Sequence, residues 1–386
     1  MAALRALKLS LTEACNLRCH YCYQRRRRRT TMTRPTLRAA LELAARLGNG
    51  QTDLVLSGGE PLLAEELVTM ALDRHPRGRT RLITNGTLLH PALLDRLNES
   101  QAQLQISADG VAEAQAGRGP DTWEVLDRWL PAIRTGHPDL WARRFTLAMT
   151  VTPRNVDHLS SSVTWALAHD VRRLEISLAC GLTRDWGRSA CTVLTGEMQR
   201  VLALSRDHRR LANGIPVTYL QPQPLAGRPA NAPCAAPDVG ALAVAADGGV
   251  HGCGVLADVA RWHPSPVVQH AAAILNLGQV DDPDLPARWQ RHLSHPSRML
   301  PPPHARASGE RRCVDCRRRE QCVICPLAGP EPNHAPDAHC LFERLAHRGR
   351  RVMAETDPLA ASLIGMGTQP EVAAALAKLV ARAHHF

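Results

Sequence analysis

Three cysteines close to the start of the chain have the spacing of an iron–sulfur ligand set. Cys15, Cys19 and Cys22 follow the pattern C-x3-C-x2-C, with Tyr21 before the third cysteine. Protein [4Fe–4S] clusters are normally held by four thiolates, and the next cysteine along the chain is Cys180. Three thiolates on one cubane would leave one iron open to a ligand that is not protein. A zinc knot and buried core thiols are the alternatives, but the x3 gap and the missing fourth ligand weigh against zinc.

This stretch resembles the C-x3-C-x-φ-C motif of radical S-adenosylmethionine enzymes. The resemblance implies that the open iron binds the amino and carboxylate groups of the cofactor's methionine. It also implies that an electron from the cluster cleaves this cofactor to methionine and a 5′-deoxyadenosyl radical, which abstracts a hydrogen atom from the substrate.

Three later motifs stand at the ends of predicted strands. The sequences GGEP, TNG and SADG each contain glycine, which lets the backbone approach a ligand closely. Alone, GGEP could be a plain turn. Together the three are similar to the family's GGEP, TNG and S-x-D-G motifs. The family's next residues, a His-Asp pair, are absent here, whereas Arg118 is present. The resemblance implies cofactor-binding roles for Tyr21, Gly58, Gly59, Glu60, Pro61, Asn85, Ser107 and Asp109.

Strands that alternate with helices predict an α/β fold with parallel strands. Leu7 and Leu9 alternate with polar residues in the first strand, and Thr33 with Pro35 predicts the start of the first helix. Six such units within about 180 residues predict an open, partial (β/α)6 barrel. Ligand sites of such folds lie at the carboxyl ends of strands, where the motif residues fall.

Seven further cysteines occupy the last 40% of the sequence. Taken alone, their two C-x2-C pairs indicate a zinc ribbon, and Asp247-Gly248 between apolar runs predicts a β-hairpin. Together they resemble the SPASM extension of radical S-adenosylmethionine enzymes, with one gap shortened from x3 to x2. These cysteines are Cys234, Cys253, Cys313, Cys316, Cys322, Cys325 and Cys340.

The SPASM resemblance implies one or two auxiliary [4Fe–4S] clusters. An inner cluster would use Cys234, Cys253 and Cys325, and an outer cluster would use Cys313, Cys316, Cys322 and Cys340. The inner set shows three ligands, so an open iron, a non-cysteine ligand and an empty site all stay open. Cys180 and Cys191 are expected to be core thiols.

These patterns divide the chain into four parts. The partial barrel is predicted over residues 1–200 and a bridge over residues 201–230. The cysteine-rich SPASM domain follows over residues 231–345, and a helical tail over residues 346–386. In this tail, Thr368 and Glu371 form a predicted capping box.

Composition limits the partners of this protein. Lys and Arg number 47 against 36 Asp and Glu, a net charge of +11 that attracts anions. The run Arg25–Arg29 is either an anion clamp or a solvated loop. Aromatic residues make up 3% of the chain, which argues against a stacking platform for nucleic acid. Neither a membrane span nor a signal segment is evident, so a cytoplasmic enzyme with no membrane partner is predicted.

The resemblance implies oxidative modification of a small ribosomal precursor peptide, with carbon–carbon, carbon–oxygen or thioether cross-linking as the preferred outcome. Gly254 stands where sulfatase-type maturases carry an aspartate base, which argues against formylglycine formation. Asp247 and His251 are nearby polar candidates for a base. A dehydrogenase of a small metabolite is the alternative reaction, and a non-catalytic metal-binding module is a remote one.

Two kinds of protein partner are expected. Ferredoxin or flavodoxin would donate electrons. A leader peptide would be recognised by a separate protein or by the basic face around Arg25–Arg29, unless the substrate has no leader.

Overall fold

One sheet of nine strands runs through the described part of the chain. The computed structural model describes residues 3–24, 29–179, 186–212, 214–221, 240–261, 263, 266–294 and 337–355. Within them the strand order is β6-β5-β4-β3-β2-β1-β7-β8-β9. Strands β1 to β7 pair in parallel, whereas β8 pairs antiparallel with both of its neighbours. The strands are β1 (Ala6–Thr12), β2 (Asp53–Gly58), β3 (Thr80–Thr84), β4 (Gln103–Ser107), β5 (Phe145–Val151), β6 (Leu174–Leu178), β7 (Ala241–Val244), β8 (Gly249–His251) and β9 (Asn276–Gln279).

Helices connect the parallel strands and cover one face of the sheet. The first five strand-to-strand connections of the described chain contain α1 (Arg34–Gly48), α2 (Glu65–Arg74), α3 (Pro91–Glu99), α4 (Ala112–Gln115), α5 (Thr122–Gly136) and α6 (Leu159–Ala168). Later helices are α7 (Arg188–Ala212), α8 (Gly254–Val259), α9 (Pro266–Leu275), α10 (Leu285–Ser294) and α11 (Asp337–Glu355). None of the described helices is long and apolar enough to cross a membrane.

The hydrophobic pattern of the first unit explains why it folds in this way. Leu7 and Leu9 are fully buried in the same cluster as Leu37 of α1, so alternate residues of β1 point toward the helices. Helix α1 begins where the sequence predicts, because the hydroxyl of Thr33 accepts a hydrogen bond from the backbone N–H of Thr36 at 3.2 Å. Pro35 occupies the first turn, where its missing N–H costs nothing.

The predicted partial barrel is confirmed, and the predicted hairpin at Asp247-Gly248 is formed by β7 and β8. Strand β7 also pairs in parallel with β1, so the second cysteine-bearing region continues the barrel sheet. The domain boundaries stay predictions. The predicted capping box in the tail lies outside the described residues, as do residues 25–28 of the arginine run.

Candidate active site

The loop that follows β1 carries the three cysteines, and we call residues 13–24 the cysteine loop. Cys15, Cys19 and Cys22 are all half-buried, and none forms a disulfide. The backbone N–H of Cys22 donates to the carbonyl of Cys19 at 3.1 Å. The N–H of His20 donates to the carbonyl of Gly117 at 3.0 Å, which ties the loop to the chain after α4. The three thiols therefore sit on one short, internally bonded loop at the carboxyl end of the first strand.

The GGEP turn lies directly against the start of the cysteine loop. The N–H of Gly59 donates to the carbonyl of Thr12 at 2.7 Å, and the N–H of Glu60 donates to the carbonyl of Ala14 at 2.8 Å. A Cβ on Gly59 would lie 2.1 Å from the carbonyl oxygen of Ala14, so only glycine allows this contact. Gly58, with φ of +148°, has the same restriction against the backbone of Thr12.

Glu60 joins this turn to the next one along the sheet. Its buried carboxylate accepts hydrogen bonds from the hydroxyl of Thr84 at 2.7 Å, the N–H of Asn85 at 2.8 Å and the N–H of Leu62 at 3.1 Å. Burial raises the pKa of Glu60 above its usual value, although these hydrogen bonds oppose the shift. Pro61 begins the 3₁₀ turn Pro61–Ala64. The side chain of Glu60 is thus committed to positioning the TNG turn.

Asn85 of the TNG turn reaches the cysteine loop. Its side-chain amide donates to the side chain of Asn16 at 2.9 Å, and its nitrogen lies 3.9 Å from the sulfur of Cys15. Asn16 in turn donates to the hydroxyl of Thr87 at 2.7 Å. The second and third strand ends are therefore both in direct contact with the loop, as the sequence predicts.

Asp109 of the SADG motif contacts Tyr21 directly. Its fully buried carboxylate accepts hydrogen bonds from the Tyr21 hydroxyl at 2.6 Å and from Arg118 at 2.7 Å. The Arg118 guanidinium also lies 5.5 Å from the centre of the Tyr21 ring. Burial raises the pKa of Tyr21 far above its usual value, so the phenol stays a donor. Ser107, the last residue of β4, is half-buried.

These contacts allow the fit of an iron–sulfur cluster to be tested. Among the residues that the structure describes, no three or more His, Cys, Asp or Glu side chains are arranged to hold one metal ion. A cubane needs thiols that are free to bind different irons, and Cys15, Cys19 and Cys22 are three half-buried thiols outside any disulfide. Burial raises the pKa of the Cys19 thiol, and bonding to iron would offset that cost of ionisation.

The second cysteine-bearing region is described only in part. Cys253 is half-buried and immediately precedes α8. Cys191, by contrast, packs on the main core, as expected of a core thiol. The side chains of Cys180, Cys234, Cys313, Cys316, Cys322, Cys325 and Cys340 lie outside the described residues, so both auxiliary ligand sets stay predictions.

Sequence reasoning missed a cluster of polar side chains that joins α8 to β1. Asp258 accepts hydrogen bonds from Lys8 at 2.5 Å, Ser10 at 2.5 Å and Tyr23 at 2.6 Å. Asp258 lies 250 residues from Lys8 in the sequence, so spacing gave no signal. The one visible hint was Lys8 itself, the single charged residue of β1.

A second ion pair ties α8 to the cysteine loop. Arg261, two residues beyond the end of α8, pairs with Asp247 of the hairpin turn and with Glu13 of the loop, the latter at 3.2 Å. Asp247 is thereby engaged in positioning. His251 is only 6% exposed and burial lowers its pKa.

Residues 9–159 match the family model described as Radical SAM superfamily. This segment contains the cysteine loop and the three motifs that contact it, so the geometry and the family model indicate the same residues. The segment is therefore similar to enzyme domains of the radical S-adenosylmethionine type.

The curated relatives of this chain are named for different reactions, among them an AdoMet-dependent heme synthase and the GTP 3',8-cyclase 2 of Mycobacterium bovis. The chain is 33% identical over 210 residues to the AdoMet-dependent heme synthase of Methanosarcina barkeri, which covers 52% of this chain and 57% of that protein. It spans 63% and 30% of the lengths of two other curated relatives.

Two solved structures share the fold over most of the chain. The structure of anSMEcpe with bound AdoMet and Cp18Cys peptide has a TM-score of 0.64 at 17% identity, covering 91% of this chain and 100% of that chain. Streptococcus suis SuiB bound to precursor peptide SuiA has a TM-score of 0.54 at 12% identity, covering 84% of this chain and 71% of that chain. At these identities the likeness shows the fold.

Proposed function

We propose that this protein oxidatively modifies a small ribosomal peptide by radical chemistry, with cross-linking as the outcome. In this proposal Cys15, Cys19 and Cys22 hold a [4Fe–4S] cluster that binds S-adenosylmethionine at its open iron. When bound, the cluster supplies the electron that cleaves S-adenosylmethionine and so starts hydrogen abstraction. One or two auxiliary clusters in the SPASM region would carry the substrate electron away.

One observation carries the proposal: three turns from three parallel strands contact the cysteine loop. Glu60 bonds to its backbone at Ala14, Asn85 bonds to Asn16, and Asp109 bonds to Tyr21. The carboxyl edge of a parallel sheet, where these turns lie, would position a ligand beside the loop. The Gly59 backbone approaches the cysteine loop closely and would border a cofactor bound there. Glu60 and Asp109 fix the neighbouring turns.

The peptide substrate rests on the fold and on what its neighbours bind. anSMEcpe was solved with AdoMet and a peptide, and SuiB with its precursor peptide. Gly254 supplies no carboxylate beside Cys253, which favours cross-linking over formylglycine formation. Ferredoxin or flavodoxin is the proposed electron donor. A separate protein or the basic loop around Arg25–Arg29 would bind a leader peptide if the substrate has one.

Iron and sulfide counting after anaerobic reconstitution tests the metal content. We expect about twelve irons in the wild type and about eight in a Cys15/Cys19/Cys22→Ala variant, because each cubane holds four irons. About eight falling to about four would mean one auxiliary cluster. The matched control is Cys191→Ala, which removes a core thiol and should lose no iron. An unchanged iron count in the triple variant would end the radical proposal.

Mass spectrometry of a candidate peptide tests the reaction. A peptide encoded by a short reading frame beside the gene is incubated with the reconstituted enzyme, S-adenosylmethionine and reductant. Loss of two hydrogen atoms per peptide, with formation of 5′-deoxyadenosine, is the expected result. An unmodified peptide together with cofactor cleavage would redirect the search to a small metabolite.

A small-metabolite substrate is the second candidate. It is favoured by the 33% identity to a heme synthase, a relative whose name indicates a tetrapyrrole product. This candidate predicts turnover of a free metabolite in the absence of any peptide.

A further inference from the structure

Lysine is almost absent from this protein, and one of its two lysines lies inside the barrel sheet. The chain contains 45 arginines but only Lys8 and Lys378. The two cations differ in chemistry: arginine presents a planar fork, whereas lysine is a compact point charge with three rotatable donors. Lys8 therefore provides a donor geometry that is rare in this arginine-rich chain.

Lys8 points away from the helices that cover the barrel. Its neighbours Leu7 and Leu9 are fully buried in the helix-facing core, and side chains alternate along a strand, so Lys8 occupies the other, inner face of β1. It pairs across the sheet with Ala243 of β7, which pairs with His251 of β8. Lys8 thus lies at the junction of the barrel with the second cysteine-bearing region.

The ammonium of Lys8 is anchored by a buried carboxylate, and the lysine side chain remains partly exposed. The carboxylate of Asp258 is 1% exposed and is covered by three donors, whereas the Lys8 side chain is 23% exposed. Lys8 donates one hydrogen bond to Asp258 and a second to the carbonyl of Gly254 at 2.9 Å. An ammonium has three donors, and the third finds no acceptor among the described residues.

This open donor lies between the two cysteine-bearing segments. The carboxylate that anchors it also holds Tyr23, the residue after Cys22. Its second acceptor is the carbonyl of Gly254, the residue after Cys253. A Cβ at position 254 would lie 3.2 Å from Cδ of Lys8, so glycine at this position gives the lysine its room.

We propose that Lys8 positions the substrate by donating its third hydrogen bond to a substrate oxygen, a peptide carbonyl or carboxylate. The peptide nature of that oxygen rests on the proposed function. The fold alone does not need this ion pair, because a buried ion pair is often no more stabilising than apolar residues of similar volume. Asp258 is a positioning residue, since it acts by fixing Lys8.

Steady-state kinetics on the reconstituted full chain tests the proposal. In Lys8→Met, KM for the peptide that the wild type modifies rises about 10- to 100-fold, the factor expected for losing one hydrogen bond to a charged group. The matched control is Lys378→Met, which removes the other lysine and leaves KM unchanged. An unchanged KM in Lys8→Met overturns the proposal.

A second variant tests whether misfolding of Lys8→Met explains the rise in KM. Lys8→Met leaves a buried carboxylate without its cation, so Lys8→Met/Asp258→Asn removes both charges. The asparagine oxygen accepts from one of the Ser10 and Tyr23 hydroxyls, and its NH2 group can donate to the oxygen of the other. The double variant should bind as much iron as the wild type and show the same rise in KM as Lys8→Met. A KM restored to the wild-type value would mean that the rise came from the unpaired carboxylate, which overturns the proposal.

Amine labelling separates this proposal from the proposed function. The folded enzyme is treated with N-hydroxysuccinimidyl acetate, and acetylation of Lys8 is read by mass spectrometry against Lys378. Lys8 should be acetylated in the folded enzyme, and peptide should suppress this labelling. If the wild type modifies no peptide, the proposed function fails, but native labelling of Lys8 still supports an accessible amine. Labelling of Lys8 only after denaturation overturns the positioning role.

Discussion

Asp109 and Asp258 each hold a tyrosine of the cysteine loop, and each does so together with a cation. Asp109 binds Tyr21 and Arg118, and both charged side chains are closed off, with 0% and 7% exposure. Asp258 binds Tyr23 and Lys8, but the lysine keeps 23% of its side chain exposed. The first group is a closed support of the loop, whereas the second leaves a donor facing outward. A group made of an aspartate, a tyrosine and a cation can therefore support the loop in one place and bind a ligand in another.

The largest expected effect concerns a third support of the cysteine loop, its backbone contact with the GGEP turn. In Gly59→Ala, the new Cβ would meet the Ala14 carbonyl at 2.1 Å and push the cysteine loop away from the turn. We expect a loss of about four irons per chain on reconstitution, one cubane. Gly136→Ala is the control, since nothing lies within 4 Å of its Cβ position. Full iron content in Gly59→Ala would show that side chains alone hold the loop.

Breaking the closed support should cost the most stability. Asp109→Asn leaves the Arg118 charge buried without a counter-charge, which destabilises the fold by about 3 to 5 kcal/mol. Urea unfolding measures the change. Asp139→Asn is the control, because Asp139 pairs with Arg144 from a side chain that is 58% exposed, and such exposed pairs contribute about 1 kcal/mol or less. Equal costs for the two variants would contradict the buried character of Asp109.

Breaking the open support should cost less stability. In Asp258→Asn the Lys8 ammonium can still reach water, so we expect a loss of about 1 to 3 kcal/mol, the range for a disrupted hydrogen bond to a charged group. The same urea titration, run beside Asp109→Asn, gives the difference. A larger loss for Asp258→Asn than for Asp109→Asn would reverse the comparison.

The smallest effect concerns His75, a half-buried histidine whose ring bonds to a backbone carbonyl. Burial lowers the pKa of His75 below its usual value of 6.5, and its ring contacts the Thr52 carbonyl at 2.8 Å. The unfolded chain then binds the proton more tightly, so stability falls as pH drops through about 6.5 and is independent of this group above it. Unfolding at about pH 7.5 and about pH 5.5 should show a smaller difference in His75→Gln than in the wild type. An identical difference would mean that His75 does not titrate abnormally.

Local patterns were enough to predict the barrel and much of the candidate site. The alternation at Leu7 and Leu9 and the cap at Thr33 act within a few residues, and parallel strands place their carboxyl ends together. The cysteine loop could therefore be predicted to meet GGEP, TNG and SADG. These local patterns could not show that Tyr21 and Asp109 bond to each other.

Long-range contacts explain what the sequence could not predict. The pairing of β7 with β1 and the meeting of Lys8 with Asp258 join residues more than 230 positions apart. No spacing rule connects such positions, because their proximity follows from the completed sheet. Arg118 was visible as a lone residue, but its role depends on the turn that brings it to Asp109.

The pairing of β1 with β7 also has a consequence during synthesis. One edge of the first strand stays unpaired until Ala241–Val244 are synthesised, more than 230 residues later. At about 5 to 20 residues per second, this delay is roughly 10 to 50 s. During that time an apolar strand edge near the ribosome can template pairing with another chain. Strand β7 therefore protects the edge of the first strand from pairing with another chain.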